Sequence, residues 1–281
     1  MKESIKEWLQ KTGYPLELYV QQELVKSGYT CNKSPIYVDL ENEASRELDI
    51  VAYNYPSDGD ASCTFQPMLY IECKKSEKPL VVLTASTDKT DRYRTLFNHE
   101  ICGGNMPPFG IVTLAHLLDL SQNERDLSLG KFSEKCLTGY SIVPSFSKSD
   151  ENIYKGVMGL CKANDYFRKQ YLDFYQSLKE DKKDDPDTLL HYELQIPILL
   201  VDCQLFNAYL DDTGEITIDE CQWANLRVKL PWLANSYESE RECSIQVVTK
   251  NYFSTFLKEL DKLTFYISQQ ERLNDISKYE G

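Results

Sequence analysis

The stretches Arg46-Glu47-Leu48-Asp49-Ile50-Val51-Ala52-Tyr53 and Pro67-Met68-Leu69-Tyr70-Ile71-Glu72-Cys73-Lys74-Lys75 decide how this chain reads. Both alternate charged with apolar residues at a period of two, which predicts consecutive strands over 46–54 and 67–75. On the first, Glu47, Asp49 and Val51 share one face and Leu48, Ile50 and Ala52 the other. On the second, Tyr70, Glu72 and Lys74 share a face, with Leu69, Ile71 and Cys73 behind them. As antiparallel neighbours the two strands would bring Asp49 opposite Glu72.

Carboxylates flanked by apolar residues are costly to bury unless they are paired or bind a metal. Two of them make a hard-oxygen site of the kind Mg²⁺ prefers, with water and a substrate phosphate completing the shell. Lys74, one pleat repeat along the same face, is placed to position or deprotonate an attacking water and to offset charge on phosphorus. The competing interpretation is a cross-strand salt-bridge ladder on a half-exposed sheet. A bare Glu-x-Lys is weak; it recurs at Glu180-Asp181-Lys182 within a run of charge.

Outward from this pair, Leu16, Tyr19, Val20 and Leu24 form an apolar stripe that predicts a helix over 16–26, with Glu17 near its positive end and Gly28 as its stop. A helix over the first residues carries Ile5, Trp8 and Leu9. A further strand is expected over 35–41, completing a helix followed by a three-stranded meander, with a turn at Pro56–Asp60. Strands are expected at 81–86, 141–146, 196–203, 215–220 and 244–249, and helices near 110–120, over 151–183 and over 252–270. The apolar run at 196–203 reads as a central strand buried on both faces.

Helix 16–26 with Glu17, the Arg46–Ile50 segment and Ile71-Glu72-Cys73-Lys74-Lys75 together resemble the PD-(D/E)xK, or restriction-endonuclease-like, nuclease superfamily. Leu48 stands where the eponymous proline would be. The resemblance implies an α/β fold: an α-β-β-β-α-β core with a central mixed sheet flanked by helices, insertions and a C-terminal extension. The chain is then one elaborated domain over 1–281, its motif-bearing core at 14–75 and its last core helix and strand within 151–203. It also implies a Mg²⁺-dependent nuclease (Mn²⁺ substituting) acting on nucleic acid, DNA first, as in restriction or phage defence. Catalysis falls to Glu17, Asp49, Glu72 and Lys74; metal ligation falls to Asp49, Glu72 and the Cys73 backbone carbonyl. The alternative is a silent or partner-activated nuclease-fold subunit, and a homodimer or a defence-system partner belongs to the same expectation.

Composition bounds these expectations. The chain has 281 residues, 42% hydrophobic, with 19 Tyr and 11 Phe, enough for a substantial core. Its nine cysteines show no Cys-x-x-Cys spacing, which argues against a zinc knuckle or a disulfide framework. The start has no apolar secretory region and no run is long enough to span a bilayer, so a soluble cytoplasmic protein without a membrane partner is expected. A net charge of −13, taken alone, argues against a protein that coats nucleic acid nonspecifically, without excluding a local basic groove. Lys75, Lys78, Lys89, Arg92 and Arg94 cluster after the motif, either as contacts to a phosphate backbone or as an exposed charged loop. No Walker loop or G-x-G-x-x-G is present, and Gly103 stands where a zincin would need its second histidine after His99-Glu100. A glycosidase-like carboxylate pair would have no use for the adjacent lysine.

Overall fold

The computed structural model describes residues 1–54, 63–84, 100–103, 112–113, 137–147, 151–181, 190–230 and 242–268. Helices α1 (Lys2–Gln10) and α2 (Tyr14–Lys26) lead into strands β1 (Thr30–Lys33), β2 (Ile36–Val38), β3 (Ser45–Glu47), β4 (Ile50–Tyr53) and β5 (Cys63–Lys75). Strands β6 (Leu80–Thr84), β7 (Glu100–Gly103), β8 (Val112–Thr113) and β9 (Thr138–Pro144) precede the long helix α3 (Glu151–Asp181). Then come β10 (Leu190–Asp202), β11 (Leu205–Leu210), β12 (Ile216–Cys221), β13 (Trp223–Lys229), β14 (Glu242–Thr249) and helix α4 (Phe253–Ser268). Among the described residues no helix is long and apolar enough to cross a membrane.

The architecture is α/β, built on a large mixed sheet ordered β1-β4-β5-β10-β14-β13-β9-β6-β11-β12. β1, β4 and β5 run antiparallel in turn, whereas β5 and β10 are parallel over their full lengths, from Leu190 opposite Cys63 to Asp202 opposite Lys75. Two apolar layers cover the sheet. On one face Leu16, Val20 and Leu24 of α2 and Phe253, Phe256, Leu257, Leu260 and Leu263 of α4 pack on Leu69, Ile71 and the even-numbered residues of β10. On the other, Ile153, Val157 and Leu160 of α3 pack on Tyr70, Leu199 and Val201. Period two along β5 and β10 therefore sorts side chains between two helical layers, and Ile196 to Val201 have apolar neighbours on both sides. Pro197 is tolerated mid-strand because it falls between the segment of β10 that pairs with β7 (Tyr192–Leu194) and the one that pairs with β14 (Ile198–Val201).

Three expectations change. The first strand of the meander is Thr30–Lys33, not 35–41. Residues 36–38 instead form a small separate sheet with β3, closed by a turn in which Glu43 takes φ +56° and donates to the Asp39 carbonyl. The 46–54 strand is broken: Glu47 ends β3, Leu48 and Asp49 cross over, and Ile50 begins β4. The crossing is fixed by Leu48 N–H donating to the Pro35 carbonyl and Ser34 N–H donating to the Asp49 carbonyl. Strand alternation therefore does not run unbroken from Glu47 through Asp49 to Val51. Of the helix expected near 110–120, Val112 and Thr113 pair as a strand with Glu100 and Ile101, and the remainder lies outside the described residues. So do the turn at 56–60 and Lys89, Arg92 and Arg94.

The remaining elements hold with shifted ends: α2, α3, β6, β9, β10, β12, β14 and α4 each fall on most of the expected span. β11 and β13 were not anticipated. Trp223, on β13, packs edge-on to Phe256 and donates its indole N–H to Gln246 at 2.6 Å.

Candidate active site

Asp49, Glu72 and Lys74 come together where β4 starts beside β5. The register sets Ile50 against Ile71, so Asp49, one residue earlier, falls at the level of Glu72. Its carboxylate does not stand on a pleat as alternation predicts; it turns to accept a hydrogen bond from Cys73 N–H at 2.7 Å. The break in the chain at Leu48-Asp49 makes this turn possible. It fixes the carboxylate by a main-chain donor, a stiffer anchor than a side chain.

Glu72 and Lys74 lie on the α3 face, as their alternation with Leu69, Ile71 and Cys73 requires. Lys74 Nζ sits 2.5 Å from Glu72 Oε1, with both side chains mostly buried. Glu17 arrives from the opposite side of the sheet, on the first turn of α2, close enough for the charges of Asp49, Glu47 and Lys74 to act on it.

The electrostatics follow from burial and crowding. Desolvation pushes the Glu72 carboxyl up to about 7, and the Asp49 charge adds to it, against the pull of Lys74. Asp49 is also raised, again by burial first, with the Cys73 N–H and Lys74 opposing. Glu17 is raised by burial and then by Asp49 and Glu47. Burial pulls the Lys74 ammonium down, but Glu72 and Asp49 outweigh it and hold it above its ordinary value. Lys74 is therefore a charged donor here and not a free amine. The same carboxylates, after burial, keep the Cys73 thiol protonated.

Do these residues suit a divalent ion? The donors are hard oxygens, and the burial and charge crowding that raise three carboxyls are what a cation offsets. Among the described residues no three His, Cys, Asp or Glu side chains group closely enough to hold an ion by themselves. The fit is thus to an ion that takes two carboxylates, Asp49 and Glu72, and fills its remaining positions from carbonyl, water and substrate oxygen, as Mg²⁺ does.

Two supporting residues escaped the sequence. Lys74 lies across α3 at Gly156, where a Cβ would come within 2.6 Å of Lys74 Cε. One turn on, a Cβ at Gly159 would meet the Tyr37 hydroxyl at 3.5 Å. Burial raises the Tyr37 phenol to about 12, and the Glu72 charge contributes to that shift. The available signal was Gly156-Val-Met-Gly159 inside a helical pattern, since glycines in a helix interior mark close packing.

Of the expected phosphate contacts, Lys75 and Lys78 are exposed. Lys75 Nζ donates to the Gln10 carbonyl at 2.8 Å and Lys78 Nζ to the Phe146 carbonyl at 2.9 Å. In comparisons with known proteins, no family model, no curated protein and no solved structure matches the chain.

Proposed function

We propose that the chain is a metal-dependent nuclease of the restriction-endonuclease-like kind, hydrolysing phosphodiester bonds of DNA. The observation that carries this is the meeting of Asp49, Glu72 and Lys74 on adjacent strands, with Glu17 contributed by the preceding helix. Their placement on the succession α2-β1-β4-β5-α3-β10, antiparallel through β5 and then parallel to β10, supports the same fold assignment.

Asp49 and Glu72, with the Cys73 backbone carbonyl, would hold Mg²⁺ or Mn²⁺. The ion's contribution when bound is to acidify water and to withdraw charge from a phosphoryl oxygen. The chain's own residues do the rest. Cys73 N–H orients Asp49. Lys74, held protonated, donates to oxygen and counters charge that builds on the phosphate, a contribution that grows in a partly desolvated site. Glu17 supplies a further acceptor at the rim for an attacking water. The test is cleavage of double- and single-stranded DNA and of RNA with Mg²⁺ or Mn²⁺. Activity is expected from the wild type and not from Asp49→Asn or Lys74→Ala; cleavage unaffected by both changes refutes the assignment.

A partner-activated subunit is the second reading. Its support is the net charge of −13 beside two lysines, Lys75 and Lys78, whose ammoniums are already engaged by main-chain carbonyls. Such a protein binds DNA and cuts only when a partner supplies the basic surface.

A further inference from the structure

Strand β12 ends the large sheet; among the described residues it pairs only with β11, in unbroken antiparallel register from Leu205 opposite Cys221 to Leu210 opposite Ile216. Asp211 N–H donates to the Glu215 carbonyl at 2.9 Å, so residue 215 turns its carbonyl toward β11. Backbone groups alternate along a strand, so Ile216, Ile218 and Glu220 turn their N–H and C=O to the outer edge. The side chains of the same two isoleucines are open to solvent, 74% for Ile216 and 59% for Ile218, beside Leu210 at 48%. An apolar ladder and a row of outward backbone groups therefore occupy one edge. Sheets commonly protect such edges with charges, above all lysine, or with proline or a bulge; β12 has no lysine, proline or bulge, and its charges are the acids Asp219 and Glu220.

The hairpin is also rigid. The Asp211 carboxylate accepts from Thr213 N–H at 2.8 Å, Thr213 O–H at 2.6 Å and Glu215 N–H at 3.0 Å, and Tyr209 O–H donates to Asp219 at 2.8 Å. A preorganised edge loses little entropy when a strand is added.

Charge selects the occupant. Residues 205–222 hold Asp211, Asp212, Glu215, Asp219 and Glu220 and no Lys, Arg or His. A second copy would set this acidic edge against itself, and a nucleic acid would be repelled. We propose that β12 is a docking edge for a partner protein that adds an extended segment of alternating apolar and basic residues as a further strand. Main-chain hydrogen bonds to Ile216, Ile218 and Glu220 supply affinity, and the isoleucine ladder and the acids select the sequence.

The probe is a labelled eight-residue peptide alternating Lys with Val or Ile, titrated into the whole protein. Its counterpart carries the same side chains with alternate backbone nitrogens methylated. The parent peptide is expected to bind, more weakly in high salt, and to slow amide exchange at Ile216, Ile218 and Glu220. Ile218→Pro removes one outward N–H and is expected to weaken binding about tenfold, the worth of a hydrogen bond or two. The double variant I216K/I218K, which leaves the backbone donors in place, is expected to lose binding through charge. Equal binding of the methylated peptide, or no binding of the parent, overturns the proposal. So does a wild-type dimer that Ile218→Pro dissociates without peptide, since a second copy would then own the edge.

Discussion

Gly156→Ala separates positioning from stability at this site. A Cβ there would come within 2.6 Å of Lys74 Cε, whereas carbon atoms in contact sit at about 3.5–4.0 Å. Either Lys74 or α3 must give way by roughly 1 Å. The lysine is the softer of the two, because α3 is held by Ile153, Val157 and Leu160 in the core. Its ammonium is one bond beyond Cε and sits 2.5 Å from Glu72, so that shift carries the pair to the limit of a hydrogen bond. A misplacement of about 1 Å in a catalytic constellation costs on the order of 10²-fold in rate. The helix itself gains, since alanine is favoured over glycine in a helix interior by about 1 kcal/mol. The variant is therefore expected to melt at or above the wild-type temperature and, on the proposed nuclease function, to cleave DNA about a hundredfold more slowly through kcat with KM kept. Without substrate, the displacement is read by carboxyl-carbon NMR as an upward move of Glu72, because Lys74 draws that carboxyl down. A variant with wild-type kcat and an unmoved Glu72 would refute the role given to Gly156.

Three further outcomes are expected. Glu72 holds its proton in the fold up to about 7 against an ordinary 4.5; the folded state thus binds more protons across that window, and stability falls as pH rises through it. Denaturant titrations at several pH values check this, and Glu72→Gln should flatten the curve. Above that window Mn²⁺ should stabilise the protein by about 2.7 kcal/mol at a hundred times its Kd, with the gain lost in Asp49→Asn and Glu72→Gln; calorimetric melts with and without the ion report it. Asp39 is fully buried and accepts from Arg46 at 2.9 Å and Lys162 at 2.8 Å, tying the β2–β3 hairpin to α3. Asp39→Ala removes the buried anion that both cations share, leaving Lys162 with Glu41 at 2.6 Å, and should cost about 1.5–3 kcal/mol in urea unfolding.

Much of the scaffold was legible in local pattern. The stripe Leu16-Val20-Leu24 and the Gly28 stop define α2, the apolar run around Ile196–Val201 defines the central strand, and alternation puts Glu72 and Lys74 on one face of β5. These signals survive because burial imposes a period on residues close in sequence. β1 carried no such signal: Thr30–Lys33 is a short, polar, mostly exposed edge strand, and its place is set by pairing with β4. The long apolar look of 46–53 concealed a crossover between two sheets. That break depends on Ser34, Pro35 and the hairpin turn, so no window over 46–53 contains its cause.

By itself the sequence singled out Asp49, Glu72 and Lys74, with Glu17 on the helix ahead of them, as charges set among apolar flanks. It did so because alternation and apolar flanks are written along the chain. Only the tertiary structure decided how these groups meet. It turned Asp49 onto Cys73 N–H, laid Lys74 across Gly156 from a helix some eighty residues later, and left Ile216 and Ile218 exposed on an acidic strand that, among the described residues, pairs only with β11. Those facts depend on strand order and on distances between segments remote in sequence. A backbone donor, a missing Cβ and the last strand of a sheet have no periodicity to announce them.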